Sequence, residues 1–415
     1  MESGRVVITG LGTINSIARN TPEFAAALQA GHCGIDAVTV FDTAGFPTHT
    51  GGEVRDFSPG TEIPAPYYGK RMSRSDAMAM LATLEALQDA GLFPLPDDLR
   101  ETTGVVVGGG AGGMLQGEAA FRQHLRGNAA AVRFSAFSAF CCASSADHIV
   151  SKFGLWGPKT TFMTACSSGA TALGYARDLI RAGQARVVIA GGTEPLARTT
   201  YAAFNALKAV DPQRCKPFDR HREGMSLGEG AGMMILESLE HALDRGARIH
   251  GEVLGYGISC DANHMTAPDP EASGAVRCMQ AALRDAGVDP LQVDYINAHG
   301  TATPANDRME TAGIKRVFGE RAYAIPVSST KSMIGHTLGA AGAIEAVAAI
   351  LAIAGGFVPP TIHLTTPDPE CDLDYVPDGV RRADLDIVLS NSFAFGGNNT
   401  SIVMGRYRRE GRGHD

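Results

Sequence analysis

The stretch Thr164-Ala165-Cys166-Ser167-Ser168-Gly169 decides the fold and places one thiol at a special point in it. The β-branched and aromatic run before it, residues 160–163, predicts a buried strand. After it, apolar residues recur at helical spacing until Gly183, at Ala170, Leu173, Ala176, Leu179 and Ile180. Cys166 is therefore expected on a sharp turn at the start of a helix, where free N–H groups and the helix dipole favour a thiolate. A lone cysteine in such a place is more often a packed core residue, so the rest of the chain has to decide its role.

Composition narrows the class of protein. The 415 residues, 44% hydrophobic and 19% charged, are typical of a globular chain of two or three domains. A net charge of −8 without a Lys/Arg-rich run argues against nucleic-acid binding. Eight scattered cysteines without a C-x-x-C pair, and no secretory signal, favour reduced thiols in a cytoplasmic protein. The longest apolar run, 346–358, is too short to span a bilayer, and extending it would include Glu345, so we expect a buried helix and no membrane segment.

Strand and helix signals alternate along the chain, which predicts a layered α/β architecture. Strands are expected at 6–10, 104–108, 160–163, 186–190, 232–237, 294–298, 326–329, 387–390 and 400–404, and helices at 73–90, 170–182, 272–286 and 340–354. Each half has a strand followed by a chemically rich turn and a long helix of small residues. We therefore predict an internal duplication with two domains, 1–250 and 251–415.

One glycine motif is rejected. Gly108-x-Gly110-x-x-Gly113 follows a strand and matches a dinucleotide fingerprint superficially. Such a site also needs an acidic residue about 20 positions later, and neither Asp nor Glu occurs between Glu118 and Asp147.

Two histidines occupy the same kind of position as Cys166. Asn297-Ala298-His299-Gly300 follows one predicted strand, and Lys331-Ser332-Met333-Ile334-Gly335-His336 follows another. Sites in layered α/β folds gather at the carboxyl ends of strands. One cysteine with two histidines suits acyl transfer in which a carbanion is also formed.

These segments resemble a β-ketoacyl-acyl-carrier-protein synthase of the synthase II type, in the thiolase superfamily. The resemblance spans nearly the whole chain and rests on motifs in a fixed order: Val6-Val7-Ile8-Thr9-Gly10-Leu11-Gly12, the Cys166 segment, Ala190-Gly191-Gly192-Thr193-Glu194, Lys216-Pro217-Phe218-Asp219, Leu227-Gly228-Glu229-Gly230-Ala231-Gly232, both histidine motifs, and Asn391-Ser392-Phe393-Ala394-Phe395-Gly396-Gly397-Asn398-Asn399. It implies a five-layer αβαβα fold from two similar halves, and a dimer whose interface runs beside the active sites.

The resemblance also implies roles for named residues. Cys166 would carry the acyl group, with the backbone N–H groups of Cys166 and Phe395 as oxyanion hole. His299 and His336 would stabilise the charge formed when a malonyl thioester loses CO₂. Four further positions would support the site or contact the substrate: Lys331 and Glu345 would organise it, and Thr301 and Thr303 would hold the pantetheine arm. Phe393 and Ala111 are placed at the substrate as well.

No metal or redox cofactor is expected, and the partners are an acyl carrier protein and either a second copy of the chain or a chain-length-factor-like homologue. An acidic carrier needs a basic patch on this acidic protein. The candidates are loop charges that could equally be ordinary solvated ones: Lys70, Arg71, Arg74, Arg214 and Lys216.

The sequence departs from the synthase II pattern at three places. Ala394 stands where the gating loop usually has glycine, which predicts a less mobile loop. Ala111 stands where isoleucine is common, and the segment 134–146, with Cys141 to Ser145, is unusual at the partner's acyl pocket. Together they predict a roomier acyl tunnel and favour a polyketide or polyene synthase over housekeeping fatty-acid elongation.

Three other classes are weighed. A degradative thiolase would use a second, late cysteine, but Cys371 lies in a Pro/Asp-rich loop. A non-catalytic chain-length partner would lack the nucleophile, which is present here. A metal or thiol-redox protein does not fit the cysteine spacing.

Overall fold

The computed structural model describes residues 4–128, 130, 132, 137 and 139–409. Its strands alternate with helices along the chain, as the sequence predicts. The strands are β1 Val6–Asn15, β2 Ile35–Ala37, β3 Thr50–Gly52, β4 Thr103–Gly108, β5 Lys159–Phe162, β6 Val187–Glu194, β7 Gly230–Ser238, β8 Gly251–Cys260, β9 Tyr295–Asn297, β10 Val327–Ser328, β11 Phe357–Val358, β12 Arg381–Arg382, β13 Ile387–Ala394 and β14 Asn398–Gly405. The helices are α1 Thr21–Ala30, α2 Pro59–Glu62, α3 Arg74–Asp89, α4 Met114–Leu125, α5 Ser144–Phe153, α6 Ser168–Arg181, α7 Arg198–Ala206, α8 Leu239–Asp244, α9 Ser273–Ala286, α10 Pro304–Phe318, α11 Lys331–Ile334 and α12 Ala341–Gly355.

Ten strands form one sheet in the order β10-β9-β13-β14-β8-β1-β7-β6-β4-β5. Read outward from the centre of the sheet, the first half has the strand order β1-β7-β6-β4-β5 and the second half has the order β8-β14-β13-β9-β10. When the five strands of each half are numbered along the chain, both orders read first, fifth, fourth, second, third. The two halves therefore share one topology. The strand directions repeat too, because β4 is parallel to β5 and β6 while β9 is parallel to β10 and β13. The halves meet where β1 pairs with β8 through Val7 with Glu252 and Ile8 with Gly251. The division into two domains at residue 250 stays a prediction.

Helices complete five layers around the two half-sheets. Helices α6 and α12 lie between the halves in the central core. On the outer face of the first half lie α3 and α5, and on that of the second lie α9 and α10. Ser73 and Asp76 start α3 with reciprocal side-chain-to-backbone hydrogen bonds, a capping box. The αβαβα architecture expected from the family resemblance is confirmed.

The apolar segment Leu338–Gly355 is long and apolar enough to cross a membrane by length and composition alone, yet 78% of it is buried inside the protein. It is the central helix α12 with its preceding turn, and it contains Glu345. This agrees with the buried helix expected from the sequence.

The two central helices cross at glycine. A Cβ atom on Gly169 would lie 2.9 Å from the backbone N of Ala343, and one on Gly342 would lie 2.7 Å from the Cβ of Ala170. Neither position has room for a side chain, so α6 and α12 pack backbone to backbone. This close crossing brings the turn that carries Cys166 against the second half of the chain.

Several elements were not expected from the sequence. Strand β8 and helix α10 were missed, although β8 joins the two halves and α10 carries residues of the site. Packing explains the glycine at position 108, in the rejected dinucleotide motif, because a Cβ there would lie 2.3 Å from the backbone C of Ser168.

In the unusual segment 134–146, residues 134–136 and 138 lie outside the described residues. The hydroxyls of Ser144 and Ser145 donate to Asp76 at 3.0 and 2.8 Å, so both hydroxyls are bound within the chain's own core.

Candidate active site

Cys166 lies on the turn between β5 and α6, as predicted. The residue before it, Ala165, has φ = 52°, a left-handed conformation that is costly for alanine. The thiol is buried, with Cys166 only 6% exposed, at the junction of two cavities. A strained turn that presents a buried thiol to two cavities is a feature of a reactive site.

Burial raises the pKa of the Cys166 thiol to about 12. The Lys331 ammonium and the backbone N–H groups of Phe395 and Cys166 lower the pKa, but they only partly offset burial. The thiolate expected from the helix start alone is therefore wrong for the resting site: desolvation outweighs the helix terminus. The thiol needs a nearby base, while the same two N–H groups are placed to stabilise a negative oxygen beside the sulfur.

His299 follows β9 and is held by an acid that the sequence analysis missed. Glu310 on α10 accepts the backbone N–H groups of His299 and Gly300, both at 2.8 Å. The side-chain amide of Asn391 also donates to it, at 3.2 Å. Burial raises the pKa of Glu310 to about 7. The sequence did contain one signal for Glu310: it is an acid on a helix that otherwise faces the core, and another acid, Asp307, lies three residues before it.

His336 follows α11, and its tautomer is set by its own turn. Its Nδ1 accepts the backbone N–H of Leu338 at 3.3 Å, so the proton resides on Nε2. Within the described part of the chain, Nε2 of His336 and Nδ1 of His299 are buried without hydrogen-bond partners. Such atoms are free to engage a substrate.

Cys166, His299 and His336 come together as expected: their ligating atoms all lie within 4.8 Å of one another. The two imidazole rings are 5.3 Å apart, centre to centre, and nearly perpendicular, at 83°. Burial, reinforced by the Lys331 charge, holds the pKa of both histidines well below 6.5. Both are neutral at neutral pH. A neutral imidazole donates a hydrogen bond from one nitrogen and accepts at the other. In His336 the accepting nitrogen, Nδ1, is already bound to the Leu338 N–H, so His299 is the imidazole that can take a proton from the thiol.

Lys331 and Glu345 form a buried ion pair behind the histidines, Nζ to Oε1, and each side chain is 1% exposed. Burial raises the pKa of Glu345 to about 7, and the Lys331 charge opposes that rise. The Oε2 atom of Glu345 has no hydrogen-bond partner among the residues described. The pair places a fixed positive charge beside the three reactive groups.

A cysteine and two histidines at this separation could also hold a metal ion such as zinc. The Lys331 charge acts on all three groups, as their pKa shifts show. A divalent cation would have to bind beside that ammonium, which opposes its binding; that the site uses no metal stays a prediction.

Two cavities meet at Cys166. The larger, about 310 Å³, opens to the surface and contains Thr301, Thr303 and Phe393 in its lining together with both histidines. The smaller, about 170 Å³, is lined mainly by apolar groups, among them Ala111, Met114, Phe204 and Leu338. Phe395 lines both and stacks on Phe204 at 5.6 Å. The predicted pantetheine and acyl residues thus line two different cavities that share the Cys166 thiol.

The gating-loop expectation fails on its stated reason. Ala394 has φ = −112°, an extended conformation that any residue adopts. The positive φ angles belong to Gly396 and Gly397, at 80° and 74°. Alanine therefore imposes no backbone strain here.

The basic candidates separate into two groups. Arg74 pairs with buried Glu229 at 2.6 Å, and Lys216 pairs with Asp211 at 2.8 Å. Both side chains therefore form ion pairs inside the protein. We no longer count Arg74 among the residues expected to bind the carrier protein. Lys70, Arg71 and Arg214 are exposed. The sequence analysis missed the two cations at the mouth of the larger cavity, Lys208 and Arg308.

Comparison with known proteins agrees with this geometry. Residues 3–242 match the family model "Beta-ketoacyl synthase, N-terminal domain" and residues 250–365 match "Beta-ketoacyl synthase, C-terminal domain". A 3-oxoacyl-[acyl-carrier-protein] synthase 2 of Coxiella burnetii is 43% identical over 98% of this chain and 99% of its own length.

Two solved structures are similar over the whole fold. The ishigamide ketosynthase/chain length factor has a TM-score of 0.92 and 41% identity, covering 98% of this chain and 100% of that one. A type II PKS acyl-carrier protein in complex with its ketosynthase bound to the hexaketide has a TM-score of 0.86 and 33% identity, with the same coverage.

Proposed function

The chain belongs to the β-ketoacyl synthase family, and from that premise we propose that it joins a malonyl unit to an acyl chain held on Cys166, releasing CO₂ and lengthening the chain by two carbons. Both substrates arrive as thioesters on an acyl carrier protein. The observation that carries the proposal is the convergence of Cys166, His299 and His336 within 4.8 Å at the junction of two cavities.

Acyl transfer comes first. A neutral imidazole takes the thiol proton, and the sulfur attacks the thioester carbonyl of the acyl carrier. The N–H groups of Cys166 and Phe395 stabilise the oxyanion, which collapses and expels the carrier thiolate. That thiolate takes up the proton, and the acyl chain occupies the smaller cavity. His299 is the acceptor, because the Nδ1 of His336 is bound to the Leu338 N–H and its Nε2 carries the proton.

Condensation follows in the larger cavity. When the malonyl thioester loses CO₂, its electron pair moves onto the thioester oxygen, and imidazole N–H groups of His299 and His336 stabilise that charge. The resulting carbanion attacks the acyl carbonyl on Cys166, the carbon–sulfur bond breaks, and the released Cys166 thiolate takes up a proton from water to regenerate the thiol. Lys331, held by its ion pair with Glu345, places an ammonium group beside these reacting groups. None of these steps requires a metal or redox cofactor.

We assign the chain to polyketide or polyene synthesis, with housekeeping fatty-acid elongation as the alternative. The similarity to a type II PKS ketosynthase and the small Ala111 side chain in the acyl cavity support the first. The 43% identity to a synthase 2 supports the second. A non-catalytic chain-length partner is disfavoured because Cys166, His299 and His336 are all present.

The proposed partners are an acyl carrier protein, docking near Lys208 and Arg308, and a second subunit. Strand β5 lies at the edge of the sheet and leads straight to Cys166, so a subunit paired there would border the active site. That subunit is a second copy or a chain-length-factor-like homologue. We place the reaction in the cytoplasm.

Intact-protein mass spectrometry tests the function. Wild-type protein given acyl carrier should gain one acyl mass, located on Cys166 by peptide mapping, and should release CO₂ from malonyl carrier. Cys166→Ala should show no adduct. An adduct on exposed Cys141, or neither adduct nor CO₂ release with any carrier, would contradict the assignment.

A further inference from the structure

Glu194, the last residue of β6, has no part in the steps above although it borders the acyl cavity. Its carboxylate is fully buried and accepts three backbone N–H groups. Oε2 accepts those of Gly110 at 2.8 Å and Gly339 at 2.9 Å, and Oε1 accepts that of Ala111 at 2.5 Å. One side chain thus joins two turns that are far apart in sequence: the turn after β4, which bears Ala111, and the turn that follows His336.

The burial of this carboxylate is not balanced by a cation. Burial raises the pKa of Glu194 to about 7 and the three N–H groups lower it; in the part of the chain that the structure describes, no positively charged side chain contributes. A buried carboxylate held only by backbone amides is costly for the fold. The hydrogen-bond geometry explains why a carboxylate stands here: three backbone N–H donors from two turns share one side chain, and a carboxylate has two oxygens to accept them.

The two turns also touch each other. A Cβ on Gly339 would lie 2.5 Å from Oε2 of Glu194 and 2.7 Å from the Cα of Gly109. The residue before it, Leu338, donates its N–H to Nδ1 of His336. On the other side, the carbonyl of Gly110 accepts the Cys142 thiol at 3.1 Å. Glu194 therefore connects the Ala111 turn to the turn that sets the His336 tautomer.

We propose that Glu194 is a positioning residue that holds the Ala111 wall of the acyl cavity and the His336 turn in one arrangement, which makes use of long acyl chains depend on it. This inference rests on the proposed function, because it gives the smaller cavity the acyl chain and His336 the carbanion step.

Glu194→Gln tests the arrangement with a change of one atom. The amide oxygen can keep the bonds to Gly110 and Gly339, and its NH₂ group then faces the Ala111 N–H. We expect acylation of Cys166 by chains that reach Ala111 to fall about 10-fold, the effect of one buried unpaired donor. Acetyl transfer and CO₂ release should stay within about twofold of wild type, because the Gly339 bond is kept.

Two further variants separate positioning from folding. Glu194→Ala removes all three bonds, so both long-chain acylation and CO₂ release should fall. Glu237→Gln is the matched control: Glu237 is also fully buried, in β7, and binds Arg245 and His241 away from both cavities. It should lower the melting temperature without changing the ratio of long-chain to acetyl transfer.

Acylation is measured by mass spectrometry over a chain-length series, with circular dichroism for folding. An unchanged ratio of long-chain to acetyl transfer in Glu194→Gln overturns the proposal, as does an equal loss in both half-reactions. Glu194→Gln keeps the test valid if the alanine variant does not fold. A wild-type protein that forms no acyl adduct would instead refute the proposed function.

Discussion

Filling the acyl cavity at Ala111 should shorten the chains that the protein accepts. The cavity holds about 170 Å³. Ala111→Ile adds three carbons to the wall of this cavity and so narrows the space left for an acyl chain.

The expected loss of rate follows from the methylene groups of the acyl chain that the isoleucine keeps out of the cavity. Each methylene kept out of an apolar site forfeits about 0.8 kcal/mol, so three forfeit about 2.4 kcal/mol. Since 1.36 kcal/mol is tenfold in rate, kcat/KM for acyl chains that fill the cavity should fall roughly 60-fold. Chains too short to reach Ala111 should keep near wild-type values.

The assay is acylation of Cys166 from an acyl-carrier series of two to ten carbons, followed by mass spectrometry. Ala120→Ile is the matched control, because Ala120 is buried in nearby α4 but does not line the cavity. Both variants can lose stability by overpacking, by about 1–3 kcal/mol. A flat chain-length profile for Ala111→Ile, or the same profile in the control, would refute the cavity argument.

Three more outcomes are expected. His299→Ala and His336→Ala should each lower condensation by on the order of 10², and in His336→Ala acyl transfer to Cys166 should fall less, because His299 still accepts the thiol proton; equal losses in both half-reactions of His336→Ala would contradict the carbanion role. Because burial raises the pKa of Glu310 from 4.5 to about 7, the folded protein binds this proton more tightly than the unfolded chain does. Wild type should therefore lose stability relative to Glu310→Gln as pH rises from 4.5 to 7, measured by thermal unfolding, and a gap that does not change with pH would refute this. Dialysis against EDTA should leave condensation unchanged, because Lys331 disfavours a cation at the thiol; loss of activity restored by zinc would show otherwise.

Local sequence predicted the positions of the reacting groups well. Cys166, His299 and His336 were found because a strand followed by a chemically distinctive turn is a signal carried by adjacent residues. Their convergence comes from the sheet order, which no local pattern specifies. Glu310 and Glu194 were missed as functional residues because most of the groups that they bind are backbone N–H groups. Nearly every residue has such a group, so the sequence does not show which ones a carboxylate binds.

The errors had physical causes of the same kind. The thiolate expected at Cys166 followed from the helix start, but desolvation in the folded core outweighs it. Arg74 was assigned to a docking surface because charge is visible in sequence, whereas its buried partner Glu229 lies 155 residues away. The expectation for Ala394 assumed that this position needs the positive φ angle that glycine permits. The positive φ angles of the loop belong instead to Gly396 and Gly397, two and three positions later.

The glycine crossing of α6 and α12 determines which parts of this protein can diverge. The distance between sulfur and imidazoles depends on a backbone contact in which a single added methyl group at Gly169 or Gly342 would collide with the opposite helix. The wall at Ala111 lies on a turn outside that crossing, and the Ala111 N–H on Glu194 ties this turn to the His336 turn. Substrate range can therefore drift through changes of the Ala111 side chain that leave this backbone bond in place, so enzymes that make products of different lengths can inherit one catalytic core.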